Sequence, residues 1–220
     1  MEIKLANGES SKKTTSALLV LGAGTLGITD VPRLLEKLSE ECSIYLLNGR
    51  VPKSREVLTY TEELKASIDG IGLKRATVLG IGAGGGLALA LADACPKFVR
   101  RLVLLDTASR IEAGVLDRVI DRLEAIFPLG LPLRRLGNDF DARPLLHRIH
   151  CPTLVLQSRG AGEFLSYQAR SIAQRVPNAW FKELTMSVAP SDGIISAEAA
   201  VIIEEFLQVA AKRPQKNLAR

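Results

Sequence analysis

Two glycine-rich stretches and a thin scatter of nucleophiles hold what chemistry this sequence offers. Residues 22–27 read Gly-Ala-Gly-Thr-Leu-Gly and residues 80–86 read Gly-Ile-Gly-Ala-Gly-Gly-Gly, and both satisfy G-x-G-x-x-G. Between a strand and a helix, that spacing seats a pyrophosphate, because backbone N–H groups and the helix dipole face the anion. Nucleophilic catalysis needs something different: a hydroxyl or thiol, a base within reach, and an acid to orient the base. Ser109, Ser158, Ser187 and Ser191 supply hydroxyls, while Glu163 and Asp192 supply carboxylates. The only histidines, His147 and His150, stand just ahead of an apolar run, at the strand end away from the glycine turns. With Cys151 they make no metal site, since a spacing of three sets the rings only roughly on one face and no fourth ligand is evident. No histidine is therefore placed to activate a serine, and Asp192 is left as a weak base for its neighbours.

Short apolar runs over 16–21, 43–47, 77–79, 102–105, 153–157 and 179–184 read as strands. Helical spacing over 31–41, 56–73, 87–94, 112–127, 164–176 and 197–211 separates most of them, so the pattern predicts an α/β protein with a mostly parallel sheet. In this reading residues 80–86 form a turn, and Asp106 closes a strand and caps the turn after it. The dinucleotide reading meets two obstacles. Pro32 falls inside a helix that starts within 22–27, whereas Asp30-Val31-Pro32 suits a helix start, with Asp as N-cap and Pro in the first turn. The strand over 43–47 also ends in Asn48-Gly49-Arg50, without an acid for a ribose hydroxyl. Arg50 keeps a phosphate of NADP open as a partner.

The run over 77–110 resembles the elbow, helix and next strand of the α/β-hydrolase fold, whose G-x-S-x-G turn carries the nucleophile. Residues 60–78 resemble the helix leading into that elbow, and Cys151-Pro152-Thr153-Leu154-Val155-Leu156-Gln157 resembles the strand ahead of the triad acid. The resemblance puts the nucleophile position at Gly82, the acid near Ala161 with Glu163 as a shifted substitute, and the histidine near Ala189. None carries a usable group. The His-Gly pair of the oxyanion loop becomes Leu21-Gly22, and backbone donors from that loop and from Ala83 would still face a common pocket. The Gly-x-Gly-Ala-Gly elbow is also similar to that of the N-myc downstream-regulated proteins, non-catalytic relatives of this fold.

What the resemblance implies is one α/β-hydrolase-fold domain over 1–220, with a short helical lid inserted at about 111–143 and no Ser-His-Asp triad. The expected function is non-catalytic: binding of a small apolar ligand or a protein partner, without a cofactor. The former active-site mouth would be lined by Gly22, Ala23, Gly24, Gly82, Ala83, Arg159 and Asp192. Two alternatives stand beside it. One is a hydrolase of unusual design, using Asp192, Glu163 or a backbone oxyanion hole. The other is a dinucleotide-binding protein using 22–27 or 80–85.

Composition narrows the classes further. At 220 residues the chain suits one sizeable core. A net charge of +5 gathers partly at Lys12-Lys13 and in the basic tail over 212–220, and 5% aromatic residues are too few for an interleaved nucleic-acid face. No apolar run is long enough to span a membrane and no signal peptide is visible, so the cytoplasm is the expected compartment. Cys42, Cys95 and Cys151 are scattered and odd in number, and read as reduced and structural.

Overall fold

The computed structural model describes residues 2–5, 16–22, 42–48, 57–109, 141–159, 162–185 and 197–212. Seven strands form one sheet among them: β1 (Glu2–Leu5), β2 (Ser16–Leu21), β3 (Cys42–Asn48), β4 (Ala76–Ile81), β5 (Val99–Leu105), β6 (Thr153–Gln157) and β7 (Ala179–Glu183). Their order across the sheet is β1-β3-β2-β4-β5-β6-β7. Only β1 runs antiparallel, on β3; every other pairing is parallel. Among the described residues four α-helices, α1 (Val57–Gly70), α2 (Gly84–Ala94), α3 (Glu163–Arg175) and α4 (Ala197–Lys212), and a short 3-10 helix, Leu146–Arg148, accompany the sheet.

Parallel strands are covered on both faces, which is why they read as unbroken apolar runs. On one face Val78, Leu102, Leu104 and Val155 pack with Leu64 and Ile68 of α1, Leu87 and Leu91 of α2, and Ala169 and Ile172 of α3. On the other face Leu79, Val103, Leu105, Leu154 and Leu156 meet Ala199, Ala200 and Ile203 of α4. Each fully buried leucine contributes about 1.5–3 kcal/mol. The Trp180 and Phe206 rings meet edge to face at 5.6 Å and pin α4 to the outer strand β7.

Register places the functional edge. Leu21 lies opposite Gly80, Ile81 opposite Leu105, and Leu105 opposite Leu156. The residues leaving β2, β4, β5 and β6 (Gly22, Gly82, Asp106 and Ser158) therefore emerge along one edge of the sheet. The strand order also reverses between β2 and β4, which opens a crevice at that edge in α/β sheets.

The expected strands and helices over the described residues are present, with shifted ends. One shift changes the meaning of a motif. The turn after β4 was expected over 80–86, but Gly80 and Ile81 belong to the strand and α2 begins at Gly84. The turn proper is Gly82-Ala83. The expected helices over 31–41 and 112–127, and most of the insertion at 111–143, lie outside the described residues. No helix of the described residues is long and apolar enough to cross a membrane.

Candidate functional site

The site is built on the β4–α2 turn. Gly82 has φ +54°, a left-handed conformation that glycine takes without a Cβ penalty. Its N–H donates to the Leu105 carbonyl at 2.9 Å, and its own carbonyl accepts from the Gly85 N–H at 3.1 Å. Thr107 Oγ1 donates to the same carbonyl at 3.4 Å. These bonds tie the turn to β5 and fix its shape. A Cβ added at Gly82 would find no heavy atom within 4 Å, so the turn points into open space. Ala83, next in line, is exposed, and its N–H has no hydrogen-bond partner among the described residues.

The glycines around the turn answer to packing. A Cβ on Gly22 would overlap the Ile81 carbonyl oxygen and stand 3.0 Å from the Gly84 Cα. A Cβ on Gly84 would overlap the Leu21 carbonyl, one on Gly85 would overlap the Thr107 side chain, and one on Gly80 would come within 2.6 Å of the Gly85 Cα. The end of β2, the end of β4 and the first turn of α2 thus meet backbone to backbone. Gly22, at φ +91°, turns the chain away at the point of contact. Gly22 of the first glycine stretch presses on Ile81 and on Gly84 of the second.

Asp106 departs from expectation. It has φ +50°, the one positive φ of a non-glycine residue among the described residues. It was expected to cap the turn of its own chain. Instead its carboxylate reaches to the neighbouring strand, accepting from the Ser158 N–H at 2.7 Å and the Ser158 hydroxyl at 2.5 Å. The physical reason is the parallel pairing of β5 with β6, which sets the two strand ends side by side. Ser158 is buried, and with its hydroxyl proton committed to Asp106 it anchors the edge.

A second polar group lies behind this edge. Ser109 donates to Gln168 Oε1 at 2.5 Å, and both residues are buried. Gln157 is 1% exposed, and its Oε1 is buried without a hydrogen-bond partner among the described residues. Sequence reading missed Gln157 and Gln168. The signal for Gln157 was a polar residue ending an apolar strand.

Of the expected mouth residues, Gly22, Gly82, Ala83 and Arg159 are described. Gly22, Gly82 and Ala83 share the edge, and Arg159 follows Ser158 there, exposed and without a charge partner among the described residues. Ala23, Gly24 and Asp192 lie outside the described residues, as do Ala161, Ala189, Ser187 and Ser191. Glu163 is exposed at the first turn of α3, where a carboxylate favours the positive end of the helix dipole. His147 and His150 are exposed and precede β6, at the opposite end of the sheet. No cluster of His, Cys, Asp and Glu among the described residues is arranged to hold a metal ion. Cys42, Cys95 and Cys151 form no disulfide among the described residues, and burial pushes the Cys151 thiol up to about 11.

Comparison with known proteins places this architecture. No family model matches the chain, and no curated protein matches it in sequence. Solved structures do. MenH from S. aureus superposes with a TM-score of 0.68 at 19% identity, over 96% of this chain and 98% of that one. The enol-lactonase from Burkholderia xenovorans LB400 gives 0.65 at 19% identity, over 94% and 96%. An alpha/beta hydrolase from Sphaerobacter thermophilus DSM 20745 gives 0.59 at 19% identity, over 88% and 94%. This chain has the α/β-hydrolase fold. At such identities the likeness carries the fold alone.

Proposed function

We propose that this α/β-hydrolase-fold protein is a non-catalytic binding protein that takes a small apolar ligand at the edge formed by Gly22, Gly82, Ala83 and Arg159. The observation that carries the reading is Gly82 itself, with left-handed backbone and nothing within 4 Å of where a side chain would begin. In the resemblance, this is the position of the attacking oxygen. Here the turn offers a left-handed backbone without a side chain, while the Ala83 N–H, with no partner among the described residues, can donate to a polar atom of a ligand. Ala23, Gly24 and Asp192 complete the mouth in this reading. The apolar class follows from a lining of glycines and alanines, with the Asp106 carboxylate already bound to Ser158 and Arg159 a charge at the rim.

A hydrolase of unusual design is the second reading, favoured by the bond from the Ser158 hydroxyl to Asp106. A carboxylate holding a serine proton is a weak base without an imidazole between them, and this places the reading second.

The test runs in two arms. A panel of p-nitrophenyl esters and a fluorophosphonate probe should give neither turnover nor a labelled serine. Turnover that disappears in Ser158→Ala or Asp192→Asn overturns the non-catalytic reading. Nile red should gain fluorescence on binding, and Ala83→Trp, which fills the mouth, should abolish the gain. Binding untouched by Ala83→Trp overturns the placement of the ligand.

A further inference from the structure

At the other end of the sheet, a groove of about 540 Å³ runs between the C-terminal ends of α1 and α2 and the segments entering β4 and β5. Its volume falls within the ~300–1,000 Å³ range of small-molecule sites. The floor is apolar, built from Ile68, Leu73, Leu91 and Phe98. Lys65, Lys74 and Lys97 surround it from three separate segments of chain, and none of them makes an ion pair among the described residues. Asp69 is the sole acid of the lining, and it too makes no ion pair among the described residues.

The ordinary account of such lysines is that they offset helix C-termini. Two C-termini bring roughly half a negative charge each, and the carbonyls of α1 and α2 already accept N–H bonds here from Gly72, Leu73 and Cys95. The lining carries three ammonium groups against one carboxylate, Asp69, and Glu62 adds a second negative charge that acts on Cys95 from outside the lining. The lining itself is thus cationic around an apolar floor, with Lys74 and Lys97 exposed positive charges at its edge. Lysine stems lie along apolar surface while their charges stay at the rim, which extends the floor and sets the charge at its edge.

We infer that this groove binds an amphiphilic anion, an acyl chain or similar apolar body carrying one carboxylate or phosphate head. The tail covers Ile68, Leu73 and Phe98, and the head lies among the three ammonium groups. The site is separate from the Gly82 edge and independent of what binds there.

Dodecanoate is the probe, with dodecan-1-ol as its neutral counterpart. Calorimetric titration of the full chain should show saturable binding of dodecanoate, with dodecan-1-ol weaker by about tenfold or more. The exposed pair Lys74→Glu/Lys97→Glu should weaken dodecanoate by a similar factor while circular dichroism and Tm hold. Cys95 stands on the groove wall, so bound dodecanoate should slow its alkylation by iodoacetamide, read by peptide mapping, and leave Cys151 unaffected. The inference is overturned by no saturable binding below about 1 mM, by equal binding of the alcohol, by indifference to charge reversal, or by an unprotected Cys95.

Discussion

Gly82 and Cys151 show how a single residue's surroundings convert into measurable numbers. Serine at position 82 would have to adopt φ near +54°, which costs an L-residue about 1–2 kcal/mol. Nothing within 4 Å would crowd its Cβ, so strain is the whole cost. Gly82→Ser is therefore expected to fold, to lose about 1–2 kcal/mol in urea unfolding, and to hydrolyse no p-nitrophenyl ester, because no described histidine stands near the turn. Robust turnover by this variant would show that a base is present. Cys151 gives a pH signature. Burial pushes its thiol from 9.0 to about 11, against smaller opposing pulls from the Thr153 hydroxyl and the backbone. The unfolded chain therefore releases this proton first. The thiol's contribution is intact below pH 9 and is lost as pH climbs through 11, by about 2–3 kcal/mol in all. Wild type should lose stability over that interval more steeply than Cys151→Ala, in chemical denaturation at a series of pH values; parallel slopes would contradict the burial. Glycine at 82 was legible from the motif alone. The Asp106–Ser158 bond was not, because its partners lie 52 residues apart and meet only once β5 and β6 are neighbours.

At the scale of elements, the start of α2 decides between two principles. Intrinsic propensity disfavours glycine in a helix by about 1 kcal/mol relative to alanine, so a sequence reading starts the helix after the glycines, at 87. Packing starts it at Gly84, because the end of β2 and Thr107, just past β5, approach too closely for side chains at 84 and 85. The two principles predict opposite signs for Gly84→Ala. Propensity alone gives a gain; overlap with the Leu21 carbonyl, a backbone atom that cannot rotate away, gives a loss. The expected result is a loss of at least about 3 kcal/mol, read as a large drop in Tm or as failure to fold. Gly70→Ala, whose Cβ would meet nothing within 4 Å, serves as the control and should be close to neutral. Strands were easier to place than helix ends for a related reason. Burial on both faces writes each parallel strand as an apolar run, whereas a helix end here depends on contact with segments far away in sequence.

Across the whole molecule, the same close approach bears on what the chain can bind. Both glycine stretches match a dinucleotide fingerprint, and the fingerprint works only where the helix N-terminus faces open space for a pyrophosphate. Here the backbone of Gly22 lies against the first residue of α2, and the backbone of Gly84 lies against the end of β2. Gly22 and Gly84 thus take each other's space, so these two glycines serve the sheet's closure. The parallel sheet and its order account for this: β2 and β4 are neighbours, which brings Gly22 against Ile81 and Gly84 at one edge. Thermal-shift measurements with NAD, NADP, ATP and FMN at about 1 mM should therefore leave Tm unchanged. A ligand at a hundredfold excess over its Kd would add about 2.7 kcal/mol of stability, equivalent to several degrees for a chain of this size. A shift of that order with any of the four would mean that the edge opens to admit a phosphate, and that the glycines serve a ligand as well as the packing.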